Sequence, residues 1–182
     1  MVTWKTKLAI GAAILVSTSL LATALQTTVL FVANETIHRK LAAWWKGAKY
    51  EGIEGVVLQT RNMNCGPAAL KMALDSLGIE QQLKDIEAAT GLDETGTSLF
   101  SLMKYAESQG VHAEAWRLNI DDLGDKPLPA IVFIEGDHFA VLDHITQHGE
   151  VVLRDPAIGR LRMSKEAFGN IWRGETLVMT TQ

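Results

Sequence analysis

Cysteine is almost absent from this chain: Cys65 is the single one in 182 residues. That count excludes an internal disulfide and any zinc site built from several thiolates. No HExxH or other His-carboxylate metal spacing occurs, although His138, His144 and His148 lie close together, so metal catalysis fits poorly. A GxxxxGK[ST] loop is missing as well, and with it ATP hydrolysis through such a loop. No Lys/Arg-rich tract interleaves with aromatic residues, which leaves nucleic-acid binding without its electrostatic footprint. The balance of charge is mildly acidic, at −4. There is no internal repeat and no low-complexity stretch.

What is present suffices for a packed domain. Hydrophobic residues make up 47% and charged residues 21%, a composition that builds a core and argues against wholesale disorder. The N-terminus stands apart. From Leu8 to Asn34 no residue is charged, long enough for one helix to cross a hydrocarbon core of about 30 Å. Lys5 and Lys7 precede it, as in a secretory n-region, and Ala22-Thr23-Ala24 offers a small-residue cleavage pattern. The apolar text runs on through Ala33, beyond an ordinary h-region, so the expectation is an uncleaved anchor over residues 1–34. A short basic tail before the span favours export of the domain. Arg39, Lys40, Lys46 and Lys49 after it count the other way. The expectation is a single-pass protein of the cell (inner) membrane with its domain on the extracytoplasmic, periplasmic side.

Residues 35–52 read as an amphipathic linker. Ile37, Leu41, Trp44 and Trp45 share a helical face flanked by basic residues, which suits either a helix at the lipid interface or one packed on the domain. Residues 53–182 read as the domain. Leu70, Leu74 and Leu77 recur at helical spacing, "QQLKDIEAA" makes a short helix, and "GTSLFSLMKYAESQG" makes another, capped by Thr97 or Ser98 and stopped by Gly110. The period then changes. "VHAEAWRL", "PAIVFIEG", "HFAVLDHI", "EVVLRDP" and "ETLVMTT" have strand composition, with a Ser164-capped helix at "MSKEAF". Helices followed by an antiparallel meander predict an α+β domain.

Within it, "NCGP" places Cys65 at the start of a helix, because Pro67 is tolerated only in a first turn. The positive end of the helix favours thiolate, the attacking species. A small buried cysteine at a turn is the plainer alternative. A nucleophilic cysteine needs a base, and the base needs an orienting partner. His138 opens the strand "HFAVL" after the turn "EGD"; His38 lies near the apolar N-terminal segment, and His112, His144 and His148 look structural or solvated. Asp155 ends the next strand. If the two strands form a hairpin, His138 and Asp155 lie at the same end of it, although Asp-Pro alone is an ordinary turn starter. Gln59, six residues before Cys65, is placed to donate to an oxyanion beside the cysteine's own N–H.

Gln59, Cys65, His138 and Asp155, in this order, make the chain resemble the bacteriocin-processing, double-glycine leader peptidases, which are papain-like cysteine peptidases. The matching text is "LQTRNMNCGPAALKMAL", "GTSLFSLMKYAESQG", "HFAVL" and "VVLRDPAIGRLRMSKEAFGNIWRG". The resemblance implies a papain-like fold with Cys65 as nucleophile, His138 as general base, Asp155 orienting it and Gln59 in the oxyanion hole. It implies a peptide or precursor-protein substrate cut after Gly-Gly or Gly-Ala, no cofactor, no metal, and an export apparatus as a partner. Many members are N-terminal domains of ATP-driven transporters. Here the domain follows an apolar segment, which implies a stand-alone, membrane-tethered enzyme. The same residues would serve acyl transfer to an amine, and the same fold would serve a module that holds a peptide without cutting it.

Overall fold

The structure is a computed structural model that describes residues 23, 25–28 and 31–181. It divides into two compact units, Met1–Arg39 and Lys40–Gln182. In the first unit the described residues are helical. Among the described residues no helix is long and apolar enough to cross a membrane. The apolar run Leu8–Asn34 and the Ala22–Ala24 cleavage pattern fall largely outside them.

The second unit is an α+β domain built on one seven-stranded antiparallel sheet. Its strands are β1 (Ala48–Tyr50), β2 (His112–Arg117), β3 (Ala130–Ile134), β4 (His138–Ile145), β5 (Val151–Asp155), β6 (Gly159–Met163) and β7 (Trp172–Thr180). Across the sheet they run β1-β6-β5-β4-β3-β7-β2. The middle of this order is the expected meander, since β3 to β6 are joined by successive hairpins. Its edges differ from a simple meander: β7 inserts between β3 and β2, and β1 pairs with β6. Residues 48–50, inside the stretch read as linker, thus belong to the sheet.

Between β1 and β2 lie α1 (Cys65–Ser76), α2 (Leu83–Ala89) and α3 (Leu99–Ser108), and α4 (Lys165–Ile171) precedes β7. Ser98 caps α3 by accepting the Ser101 N–H, and Ser164 caps α4 by accepting the Ala167 N–H. Each such cap is worth about 1 kcal/mol. The sheet is buried on both faces, which explains why "AIVFI" and "FAVL" are continuously apolar instead of alternating. Ile131, Phe139 and Val141 face one core with Leu70, Leu74 and Leu102 of the helices. Val132, Ile134, Ala140 and Leu142 face a second core with Ala43, Leu161 and Phe168.

Two side chains tie α1 to this frame. Arg154 of β5 is buried and donates to Met72 O at 3.4 Å and Ser76 Oγ at 2.9 Å, a cation at the negative end of the helix. Asp143 balances it at 2.9 Å. Near the other end, Gly66 lies directly under Thr97. A Cβ there would meet Thr97 Cγ2 at 2.5 Å, so only glycine allows this approach.

Residues 40–45 are helical and turn through Gly47, at φ 68°, into β1. Ala43 is fully buried, whereas Trp44 and Trp45 stand 68% and 80% exposed and pack edge-to-face on each other. The tryptophans therefore do not serve to pack this segment onto the domain; Ala43 does.

Candidate active site

Cys65 is the first residue of α1. The loop before it is held by Asn64, which is fully buried and donates to Glu87 Oε1 at 2.8 Å. Glu87 also pairs with Arg61. Pro67 sits in the first turn, where its missing N–H leaves no intrahelical bond unmade. Cys65 as a residue is buried, at 7% exposed. Burial pushes its pKa up, but the hydrogen bond from His138, the N–H groups of Phe139 and Gly66, and the imidazolium charge together bring it below the ordinary 9.0.

His138 begins β4 and pairs across the β3–β4 turn with Ile134. Its Nε2 lies 2.8 Å from Asp155 Oδ1, which leaves Nδ1 for the thiol. Burial alone would lower the imidazole pKa. The bonds to Asp155 and Cys65 and their negative charges outweigh it and push the value up to about 10. Asp155 ends β5 and is fully buried. Its Oδ1 also accepts the N–H groups of Ala157 at 2.8 Å and Ile158 at 3.3 Å. Burial pushes this carboxyl up, and the His138 bond and charge, with the Ala157 N–H and Lys46, hold it below 3.8. The arrangement thus favours a thiolate–imidazolium pair backed by a carboxylate.

Gln59 reaches the same place from the loop. Its backbone N–H donates to Pro156 O at 2.8 Å, which ties it to the turn that follows Asp155. Its Oε1 is buried without a hydrogen-bond partner among the described residues. Gln59, Cys65, His138 and Asp155 line one cleft of ≈ 260 Å³, together with Lys46, Met63, Glu135 and Asp137. A second, more apolar cleft of ≈ 230 Å³ meets the first at Cys65 and Met63, lined also by Gly96, Thr97, Phe133 and Phe139. His112, His144 and His148 are exposed and line neither cleft. Among the described residues no cluster of three or more metal-ligating side chains exists. Lys46, Glu135 and Met63 are cleft residues that sequence reasoning did not single out. Lys46 read as one of several basic flanks and Glu135 as part of a turn.

The pair has a testable linkage. Above pH 6.5, the ordinary histidine value, the unfolded chain has lost an imidazole proton that the folded chain keeps to about 10, so stability falls. Up to 9.0 the folded chain has already lost a thiol proton that the unfolded chain retains, so stability rises. The slopes are opposite and cancel where both hold. Cys65→Ala leaves only the falling one. The urea midpoint of the variant is expected to decline relative to wild type as pH rises from 6.5 towards 9.0. Parallel profiles would rule out the ion pair.

Several known proteins are similar to this chain. The chain is 32% identical over 128 residues to an uncharacterized protein of Methanothermobacter thermautotrophicus, covering 70% of this chain and 89% of that one. It is 31% identical over 130 residues to the lactococcin-A transport/processing ATP-binding protein LcnC of Lactococcus lactis, covering 68% of this chain but 18% of the relative. The probable functional amyloid protease FapD of Pseudomonas aeruginosa is 30% identical over 130 residues, covering 65% of this chain and 57% of that protein. Among solved structures, the double glycine motif protease from an AMS/PCAT transporter, in complex with the leader peptide, superposes with a TM-score of 0.67 at 24% identity. That match covers 70% of this chain and 91% of the other. The peptidase domain of Streptococcus ComA gives 0.65 at 23%, covering 70% and 98%. These likenesses show a papain-like fold, and the Peptidase C39 family model matches residues 54–182. The chain therefore belongs to the Peptidase C39 family, and residues 54–182 are its cysteine peptidase domain.

Proposed function

We propose that the protein is a membrane-anchored peptidase that cleaves peptide bonds after Gly-Gly or Gly-Ala in leader-type sequences through Cys65, His138 and Asp155. The observation that carries the reading is the buried hydrogen-bonded chain from Asp155 through His138 to a thiol at a helix N-terminus. The Cys65 thiolate attacks the scissile carbonyl carbon. The oxyanion that forms is met by the Cys65 N–H and the Gln59 amide, donors of the kind worth about 3 kcal/mol of barrier. His138 gives its proton to the leaving amine, and a thioester remains. Water, deprotonated by His138, then attacks the thioester and releases the new carboxylate and the thiolate. Asp155 keeps the imidazole oriented throughout.

The apolar cleft beside Cys65 supports selection for small residues, since Thr97 closes down on Gly66 and Met63 flanks Gly96. The named function of the superposed double glycine protease supports the same substrate class. A panel of peptides with internal Gly-Gly, Gly-Ala and Leu-Leu pairs tests it. Mass spectrometry is expected to find cleavage after the first two only, and equal cleavage of all three would end the proposal.

The uncharged run Leu8–Asn34 supports tethering to the inner membrane, with the peptidase on the extracytoplasmic side. The relatives named as transport/processing proteins, of whose length the chain spans 17% to 19%, support an export apparatus as partner. Protease added to intact spheroplasts is expected to digest residues 53–182. Protection until lysis would place the domain on the cytoplasmic side.

A further inference from the structure

Lys46 enters the catalytic cleft from outside the region matched by the family model, which begins at residue 54. Its ammonium pairs with Glu135, and its side chain is only 14% exposed. It arrives there because Ala43 is fully buried in the same core as Val132 and Ile134. Gly47 then turns the chain into β1, whose register on β6 is fixed by Ala48 opposite Met163 and Tyr50 opposite Leu161.

Glu135 is an unexpected residue for its position. It opens the three-residue β3–β4 turn with φ at 57°, a left-handed conformation that glycine adopts more easily. Gly136, next to it, has φ at 85°. What Glu135 has and glycine lacks is the carboxylate that Lys46 holds. The Glu135 N–H also donates to Ile171 O at 2.6 Å, so the turn is gripped on two sides. His138 follows three residues later. A non-glycine residue persists in this conformation where its surroundings over-determine it, which is common at functional sites.

We propose that Lys46 is a positioning residue of this active site: its pair with Glu135 clamps the β3–β4 turn that presents His138 to Cys65, and makes segment 40–50 part of the catalytic unit. The inference rests on reading Cys65 and His138 as nucleophile and base. The charged groups lining the cleft around that pair are Lys46 before β1, Glu135 and Asp137 from the turn, and Asp155 from β5. Loss of Lys46 leaves Glu135 as an uncompensated anion, which disfavours the thiolate. Loss of the Glu135 carboxylate leaves an uncompensated cation, which favours it.

Because Cys65 is the sole cysteine, iodoacetamide alkylation of the full-length chain reads its thiolate directly against pH, with no peptide substrate required. Lys46→Met is expected to move the acid midpoint of alkylation up by about half a pH unit, and Glu135→Gln to move it down by a similar amount. The double variant returns to the wild-type midpoint but cleaves a Gly-Gly peptide several-fold more slowly, because the clamp is gone. Lys46→Arg keeps both properties, and with Glu135→Gln it carries the test should Lys46→Met fail to fold. Midpoints that do not move, or that move the same way in both single variants, would overturn the proposal. Opposite shifts with no cleavage by any protein, wild type included, would uphold Lys46 while retiring the substrate reading. A wild-type thiol that ionises only near the ordinary 9.0 would sink the catalytic reading and this inference with it.

Discussion

Replacing Cys65 by alanine is expected to reduce peptide cleavage by roughly 10⁴-fold or more while leaving the thermal midpoint within a few degrees of wild type. The activity loss follows from chemistry that no neighbour replaces. Cys65 is the one thiol in the chain, and without its thiolate the acyl-enzyme does not form. The small stability effect follows from what is removed. Alanine keeps the Cβ, retains the first turn of α1 and its frame of Asn64 and Pro67, and gives up one sulfur, worth on the order of 1 kcal/mol of burial. Mass spectrometry of the products and circular dichroism of the melt check the two halves separately. Residual cleavage near the wild-type rate would move the nucleophile elsewhere; collapse of the fold would assign Cys65 to structure.

His138→Ala is expected to abolish cleavage to a similar degree but, unlike the cysteine variant, to cost stability as well. Cys65 then loses the bond and the charge that offset its burial, so its pKa climbs back and iodoacetamide labelling slows at neutral pH. Proton delivery to the leaving amine is lost too. The stability cost comes from Asp155. Its side chain is 0% exposed, and removing the imidazolium leaves a buried carboxylate without its principal partner, a change that typically costs ~3–5 kcal/mol. The N–H groups of Ala157 and Ile158 remain, so the lower end of that range is expected. Urea denaturation at pH 7 measures it. A fully stable variant would mean that Asp155 is neutral in the folded protein, and the carboxylate–imidazolium reading would fall.

These two variants also mark how far local sequence reaches. Cys65 is readable because its setting is local: Pro67 two residues on requires a first turn, and Asn64 just before it ends the loop. The Ser98 and Ser164 caps are legible for the same reason, as are the apolar runs of β3 and β4. The strand "GRLRM" was not singled out: its alternation lasts only five residues, and the partners that settle it, Asp143 for Arg160 and Glu51 for Arg162, are distant in sequence. Three residues of β1 carry no periodicity at all. They are a strand only because β6 offers an unpaired edge.

The amino-acid sequence by itself determines the elements, the two-sided burial of the central strands and the helix end that carries Cys65, since each depends on residues within a few positions of one another. Tertiary structure alone decided the rest. β7 wedges between β3 and β2, Arg154 reaches the end of α1, and Lys46 meets Glu135, 89 residues away. Such contacts depend on which strand edges and buried charges are left to be satisfied once the chain has closed on itself, and no local pattern encodes that remainder.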